Sequence, residues 1–303
     1  MDWLLVLACF GIGVVVGLTG MGGGALMTPV LVLFFNVPPL TAVSSDLVAA
    51  AVMKPVGSLV HLRRGTVNLG LVKWLCLGSI PAAFAGVFVI KALGRGVEIE
   101  TITQRALAVA VFVAAIGLVV RAYLRLVERA RKRDGLVPLP THRPEVRVRP
   151  VATTILGAVA GLIVGMTSVG SGSIVIIALM ALYPALKASQ LVGTDLVQAV
   201  PMVSAAALAH LLFGDFQLAL TTSLLVGSVP GVFLGAQLSA RLQGGFVRRA
   251  LAFVLLASSL KMFGLSNQVA GVILGAALLV APLLWMAVRR RHGFPALASR
   301  ARS

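Results

Sequence analysis

Nine apolar runs, most of them close to twenty residues long, set the terms for this chain. They fall at about residues 3–20, 40–62, 70–93, 104–127, 151–169, 188–212, 217–241, 247–265 and 267–288. A helix needs about 20 residues to cross about 30 Å of hydrocarbon. Inside lipid every backbone N–H and C=O must be bonded within the protein, so such runs are helices. Composition agrees. Of 303 residues, 59% are hydrophobic and 12% charged, against about 45–50% and about 25% in soluble domains. So little charge cannot solvate the outside of a soluble fold. A soluble enzyme, a disordered chain and a secreted scaffold are therefore excluded. The 32 glycines suit close helix crossings in lipid.

Two further apolar runs, 24–35 and 173–183, are short, and each follows a glycine cluster. Twelve residues span only about 18 Å, less than a full crossing. The clusters also open a repeat. Gly17-Leu18-Thr19-Gly20-Met21-Gly22-Gly23-Gly24 lies over Gly165-Met166-Thr167-Ser168-Val169-Gly170-Ser171-Gly172, offset by 148 residues. Ser45-Asp46-Leu47-Val48 then lies over Thr194-Asp195-Leu196-Val197, offset by 149. The same register aligns His61 and Gly65 with His210 and Gly214, and Gly78-Ser79-x-Pro81 with Gly227-Ser228-x-Pro230. The run 267–288 has no counterpart in the first half.

Charge orients the repeats. The chain carries 26 Lys+Arg against 9 Asp+Glu, a net +17. Much of the excess sits in 128–150 and in the tail from Arg289, which marks cytoplasmic segments rather than a nucleic-acid surface. Suppose the short runs count as crossings. Each half then has five elements, and Arg63, Arg64, Lys73, Lys187, Arg241, Arg248, Arg249 and the tail are all cytoplasmic. Only Lys91, Arg95, Arg105 and Lys261 lie near outer ends. If the short runs re-enter, Arg241, Arg248, Arg249 and the tail move outside, against the bias. The expected architecture is an all-α polytopic membrane protein of two inverted five-element repeats with broken glycine-rich helices, plus one extra C-terminal helix. The divisions are 1–127, a basic loop 128–150, 151–265, an extra helix 266–288 and a basic tail 289–303. Met1-Asp2-Trp3 lacks the basic start of a signal peptide, so 3–20 is expected to be retained. Cys9 and Cys76 fit no metal or redox spacing and read as packing residues.

Inverted repeats with broken helices typify secondary transporters. A helix restarting after a break leaves unpaired N–H groups that, with the helix dipole, favour an anion. Gly20, Gly22, Gly23, Gly24, Gly170 and Gly172 make the breaks, with hydroxyls from Thr19, Thr167, Ser168, Ser171 and Ser173 beside them. Asp46 and Asp195 are the acids inside apolar segments. A carboxylate there is costly and is a functional candidate by default, here for carrying a proton. Ser45 and Thr194 precede them. Lys54 lies two turns beyond Asp46, about 12 Å along a helix, too far for a direct pair. It is suited to offset an anion's charge or to pair across helices. His61 and His210 are expected to relay protons or to pack near helix ends. The same Asp and His residues leave open a cation or divalent-metal carrier. Ser171 with His210 raises an intramembrane hydrolase, but no nucleophile-elbow pattern surrounds Ser171, and no phosphate-loop motif is present.

Thr19 to Gly24 with Pro29, Ser45-Asp46-Leu47, and His61-Leu62-Arg63-Arg64-Gly65-Thr66-Val67 resemble the TauE/SafE sulfite exporter family, also called the toluene sulfonate uptake permease family. Gly193 to Leu196, His210 to Gly214 and Gly227 to Gly231 look like its second half, so the likeness covers about residues 10–265. The resemblance implies secondary transport of sulfur-containing anions such as sulfite or sulfonates. One departure stands out: Val43-Ser44-Ser45-Asp46 occupies the place of Val192-Gly193-Thr194-Asp195. The expectation is a plasma (inner) membrane permease, not an enzyme, with the 128–150 loop and C-terminus cytoplasmic. Substrate would bind at Thr19, Gly22, Gly23, Gly24, Ser45, Lys54, Thr167, Ser168, Gly170, Ser171, Gly172 and Thr194. Asp46, Asp195, His61 and His210 would couple protons. The expected partners are the lipid bilayer, a small inorganic or organic anion and protons, with no cofactor, no metal and no nucleic acid.

Overall fold

The computed structural model describes residues 3–19, 23–63, 65–94, 96–133, 148–172, 174–184, 186, 188–239 and 245–293. Among them, eleven helices and no extended strand occur. They are α1 (Trp3–Thr19), α2 (Gly24–Phe34), α3 (Pro39–Arg63), α4 (Leu69–Leu93), α5 (Val97–Arg133), α6 (Pro150–Thr167), α7 (Ile174–Leu182), α8 (Ala188–Phe213), α9 (Leu218–Ser239), α10 (Gly245–Met262) and α11 (Asn267–Arg291). Every expected run is a helix, and the two short runs are the separate helices α2 and α7. Six helices are long and apolar enough to cross a membrane: α4, α5 over Val97–Leu124, α6, α8 over Gln190–Phe213, α9 over Leu218–Gly235, and α11. α1 and α2 are shorter apolar helices. α5 outruns its apolar segment at both ends. It starts after the turn at Gly96 with Glu98 and Glu100 in its first turn, where acidic side chains suit the helix dipole. Its far end carries on through charged residues to Arg133.

The duplicated sequence makes duplicated contacts. α1 packs along α9 and α4 along α6, and glycines set both crossings. A Cβ on Gly227 would strike the Val6 carbonyl, and one on Gly78 would strike that of Thr154. Gly13 abuts Ser228 as Gly161 abuts Ser79, and Gly235 meets Gly17 as Gly86 meets Gly165. Each is the same pair of repeat positions, seen once in each exchange of halves. Backbones this close need residues without side chains, the usual small-residue solution in lipid.

These contacts also give directions. Gly227, Gly231 and Gly235 meet Val6, Phe10 and Val14 in turn, so α1 and α9 are parallel. Gly157, Gly161 and Gly165 meet Leu75, Ser79 and Ala83, so α4 and α6 are parallel. α3 and α8 are antiparallel: Thr41 and Ser44, at the start of α3, bond Asp215, just past α8, and His210, near its end. At the other end Asn68 N donates to Thr194 Oγ1 at 3.0 Å. α5 and α10 are antiparallel too, with Gln104 Nε2 donating to the Met262 carbonyl at 3.1 Å. The four-residue connection 214–217 turns α8 back into α9. α1 therefore points the same way as α3, and the chain reverses through α2 between them. By the same step α6 points with α8, and α7 is the reversal.

Candidate functional site

The second break has a defined backbone. α6 ends at Thr167, Ser168 takes the left-handed conformation (φ 57°), and Gly170 and Gly172 have φ of 133° and 91°. A side chain at either glycine would be strained, so here glycine is a backbone requirement. The first break is seen from Gly23, which precedes α2. Gly20, Gly22 and Ser173, expected at the breaks, lie outside the described residues. The breaks touch: a Cβ on Gly24 would overlap the Ser168 carbonyl.

Asp46 sits at that junction, with none of its surface exposed. Its Oδ2 accepts from Ser168 Oγ at 2.7 Å, across the halves, and from Thr28 Oγ1 of α2 at 2.8 Å. Its Oδ1 is buried with no hydrogen-bond partner among the described residues, and the neighbouring Ser45 Oγ is likewise buried and unpartnered. Lys54, 8% exposed, lies further along α3, and its Nζ donates to Ser171 Oγ in the second break at 2.6 Å. The pairing is across helices, as the two-turn separation from Asp46 requires. The Lys54 ammonium interacts electrostatically with both Asp195 and Asp46. Asp195, 1% exposed, accepts from Gln198 Nε2 at 3.4 Å and from the backbone N–H of Gly172. Arg121 of α5, also buried, adds a second cation to the surroundings of Asp195. Gln198 is tied to α4 by Ser79 Oγ, which donates to its Oε1 at 3.3 Å.

The two carboxylates are thus in different company, although they hold equivalent positions. The residue 148 before Ser168 is Gly20, without a hydroxyl, and Thr28 corresponds to the apolar Ile176. Hydroxyls hold Asp46; cations, an amide and a peptide N–H surround Asp195.

The remaining expected residues have partners of their own. Thr19 Oγ1 donates to the Val15 carbonyl at 2.9 Å, and Thr167 Oγ1 to that of Ile163 at 2.6 Å. Both hydroxyls turn back into their own helices, in matching positions. Gly23 faces Met53. Thr194 caps the docking of Asn68. The histidines go to opposite ends of the α3–α8 pair. His61 Nδ1 meets Thr66 Oγ1 at 3.0 Å. His210, fully buried, has Nε2 at 2.7 Å from the Gly165 carbonyl and Nδ1 at 2.8 Å from Ser44 Oγ. A carbonyl only accepts, so Nε2 carries the proton and donates. The four Asp and His residues do not converge, and among the described residues no three His, Cys, Asp or Glu side chains gather as a metal site would need. Ser171 pairs with Lys54 rather than His210. Cys9 and Cys76 are free thiols.

Thr28, Arg121 and Gln198 were not singled out from the sequence, and Ser44 only as a departure from Gly193. Arg121 did carry a signal: it lies inside the 104–127 run, where a charged residue is a functional candidate. Near the run's basic end it reads as orientation charge.

Residues 5–262 match the family described as Sulfite exporter TauE/SafE. The chain is 38% identical over 252 residues to the Probable membrane transporter protein YjnA of Bacillus subtilis (strain 168), covering 83% of this chain and 95% of the relative. It is 25% identical over 236 residues to the Probable membrane transporter protein YdhB of the same organism, covering 77% and 89%. No solved structure matches.

Proposed function

Because the chain belongs to the sulfite exporter TauE/SafE family and is a multi-pass membrane transporter, we propose that it carries a small oxidised sulfur anion, sulfite or a sulfonate, coupled to protons. The observation that carries this reading is the Lys54 ammonium. It is buried, bonded to a hydroxyl in a helix break, and acted on by two buried carboxylates. A buried cation beside an interrupted helix suits an oxyanion, whose oxygens accept from ammonium, hydroxyl and free peptide N–H groups. It disfavours a metal carrier, for which the same ammonium would be a repulsive neighbour. The buried carboxylates supply a place for the coupling proton.

The antiparallel runs of α3 with α8 and α5 with α10, against the parallel runs of α1 with α9 and α4 with α6, support inverted repeats. The contact of Gly24 with Ser168 supports a site between the halves, where alternating access by rocking needs one. With the basic ends of α3, α5 and α11 on one side, that side is the cytoplasm of a plasma-membrane protein.

The test is sulfite uptake into proteoliposomes, with and without an imposed pH gradient, for wild type and Asp46→Asn/Asp195→Asn. Flux that follows the gradient and fails in the variant supports the reading. No sulfite flux under any gradient overturns the substrate, and sulfonates, carboxylates and divalent metals are then compared in the same vesicles.

A further inference from the structure

The two buried aspartates occupy equivalent positions but have been given different neighbours, and that difference divides their work. The inference rests on the transport reading above and deepens it. We propose that Asp195 carries the coupling proton by sharing Lys54 with the transported anion, while Asp46 is a positioning residue that latches the two breaks together.

The case for Asp46 as a latch is its bonding. One carboxylate oxygen receives two hydroxyls, Thr28 of α2 and Ser168 of the opposite break, at 2.8 and 2.7 Å. Those bonds tie α2, α3 and the end of α6 at a point where Gly24 already touches the Ser168 backbone. Lys54 is eight residues away along the same helix, about 12 Å. An anion bound at Lys54 and Ser171 does not need Asp46 to move.

Asp195 is placed differently. The groups facing it are Lys54 from α3, Arg121 from α5, Gln198 from its own helix and the Gly172 N–H from the break, with Ser79 and Cys76 of α4 behind Gln198. Lys54 and Asp195 meet the break at consecutive residues, Lys54 at the Ser171 hydroxyl and Asp195 at the Gly172 N–H. Lys54 is also the cation bonded to the break hydroxyl, where the anion would sit. An ammonium has three donors, and one is spent on Ser171. An arriving oxyanion takes the charge that Lys54 had offered to Asp195. The oxyanion and the ionised Asp195 carboxylate would then compete for the Lys54 charge inside the bundle, and a proton on Asp195 removes that competition. When the anion leaves, Lys54 returns to Asp195 and the proton departs. The anion and the proton are thus bound together and released together. No bond other than the carboxyl O–H forms or breaks, and water on the open side supplies and receives the proton.

The experiment uses the full-length protein in proteoliposomes with radiolabelled sulfite, in two modes. One is uptake driven by an imposed pH gradient; the other is sulfite–sulfite exchange at equal pH. Asp195→Asn, isosteric and unable to titrate, is expected to lose gradient stimulation, its ratio of driven to undriven sulfite uptake falling to about one. Lys54→Gln is expected to raise the sulfite concentration for half-maximal exchange by roughly tenfold or more. Asp46→Asn is expected to keep the wild-type ratio of driven to undriven uptake, with less folded protein. Gradient stimulation surviving in Asp195→Asn overturns the proposal. So does its selective loss in Asp46→Asn with exchange intact. Wild-type vesicles that exchange sulfite but ignore the gradient overturn proton coupling itself. Wild-type vesicles that move no sulfite in either mode overturn the transport reading, so the two failures are told apart.

Discussion

Asp46 and Ser168 join the two halves of the chain through one carboxylate oxygen, 2.7 Å from a hydroxyl on a residue in the left-handed conformation. The bond orders the break at its least regular point. A hydrogen bond to a charged group contributes about 1.5–3 kcal/mol, and losing it leaves a buried acceptor short of a partner. Thr28 supplies the second donor to the same oxygen. The junction is therefore held by two modest bonds, each removable on its own.

Ser168→Ala and Thr28→Val should each lower stability by about 1–3 kcal/mol, and the double variant by less than the sum if the two donors act as one network. Thr28→Ser keeps the hydroxyl and should lose little. Thermal unfolding in detergent reads all four. In transport, the ratio of gradient-driven to undriven uptake should stay at the wild-type value, since neither hydroxyl reaches Asp195. Full stability in Ser168→Ala would remove the latch from the argument.

Some glycines meet backbone, and others meet nothing. Gly161 faces the Ser79 carbonyl and Gly13 that of Ser228, in equivalent positions, whereas Gly275 of α11 has no atom within 4 Å of a Cβ position. Gly161→Val and Gly13→Val should sharply reduce folded protein, because a crossing at this distance cannot admit a side chain without moving a helix. Gly275→Val should express like wild type. Monodisperse yield from detergent extracts decides. Equal tolerance at Gly161 and Gly275 would mean that the α4–α6 crossing is looser than it stands here.

Much of this was legible in the sequence, because its signals are local or periodic. Apolar runs of crossing length gave the helices, and equal offsets gave the repeat, down to the glycines that pack on each other. Lys54 stood out as a charge in an apolar run. The partners of these residues did not stand out. Thr28 lies 18 positions from Asp46 and Ser168 lies 122, with no periodicity linking them. The departure of Ser44 from Gly193 also finds its reason only in space. Ser44 Oγ serves His210 and the Asp215 N–H, while a Cβ on Gly193 would meet the Thr66 carbonyl. One repeat position docks the opposite loop with a hydroxyl, the other with bare backbone.

His210 has both ring nitrogens engaged, one with a carbonyl at the end of α6 and one with Ser44. That geometry suits a clamp among α3, α6 and α8 more than a proton carrier. His210→Ala should cost about 2–4 kcal/mol through the lost bonds and the space left behind. His210→Gln, which can still donate to the Gly165 carbonyl, should recover part of it. The pH dependence of driven sulfite uptake should be the same in His210→Gln and wild type. A shifted or flattened profile in a stably folded His210→Gln protein would return this histidine to the proton path.

The reversal of the chain through α2 and α7 fixes which connections share a side of the membrane. With both reversals counted, the connection before α3 and the connection after α8 share one side, the outer one in the proposed orientation. The connection after α3 and the end of α11 share the other, the proposed cytoplasmic side. Without the reversals, the first two would fall on opposite sides. Single cysteines at Pro38 and Gln217, both exposed, and at Val67 and Arg291 separate the cases. They are placed in a background with Cys9 and Cys76 replaced by alanine. In intact cells an impermeant maleimide should label Pro38→Cys and Gln217→Cys. It should reach Val67→Cys and Arg291→Cys only after permeabilisation. Labelling of Pro38→Cys and Gln217→Cys from opposite sides would mean that α2 and α7 do not turn the chain, and the two repeats would then be parallel copies.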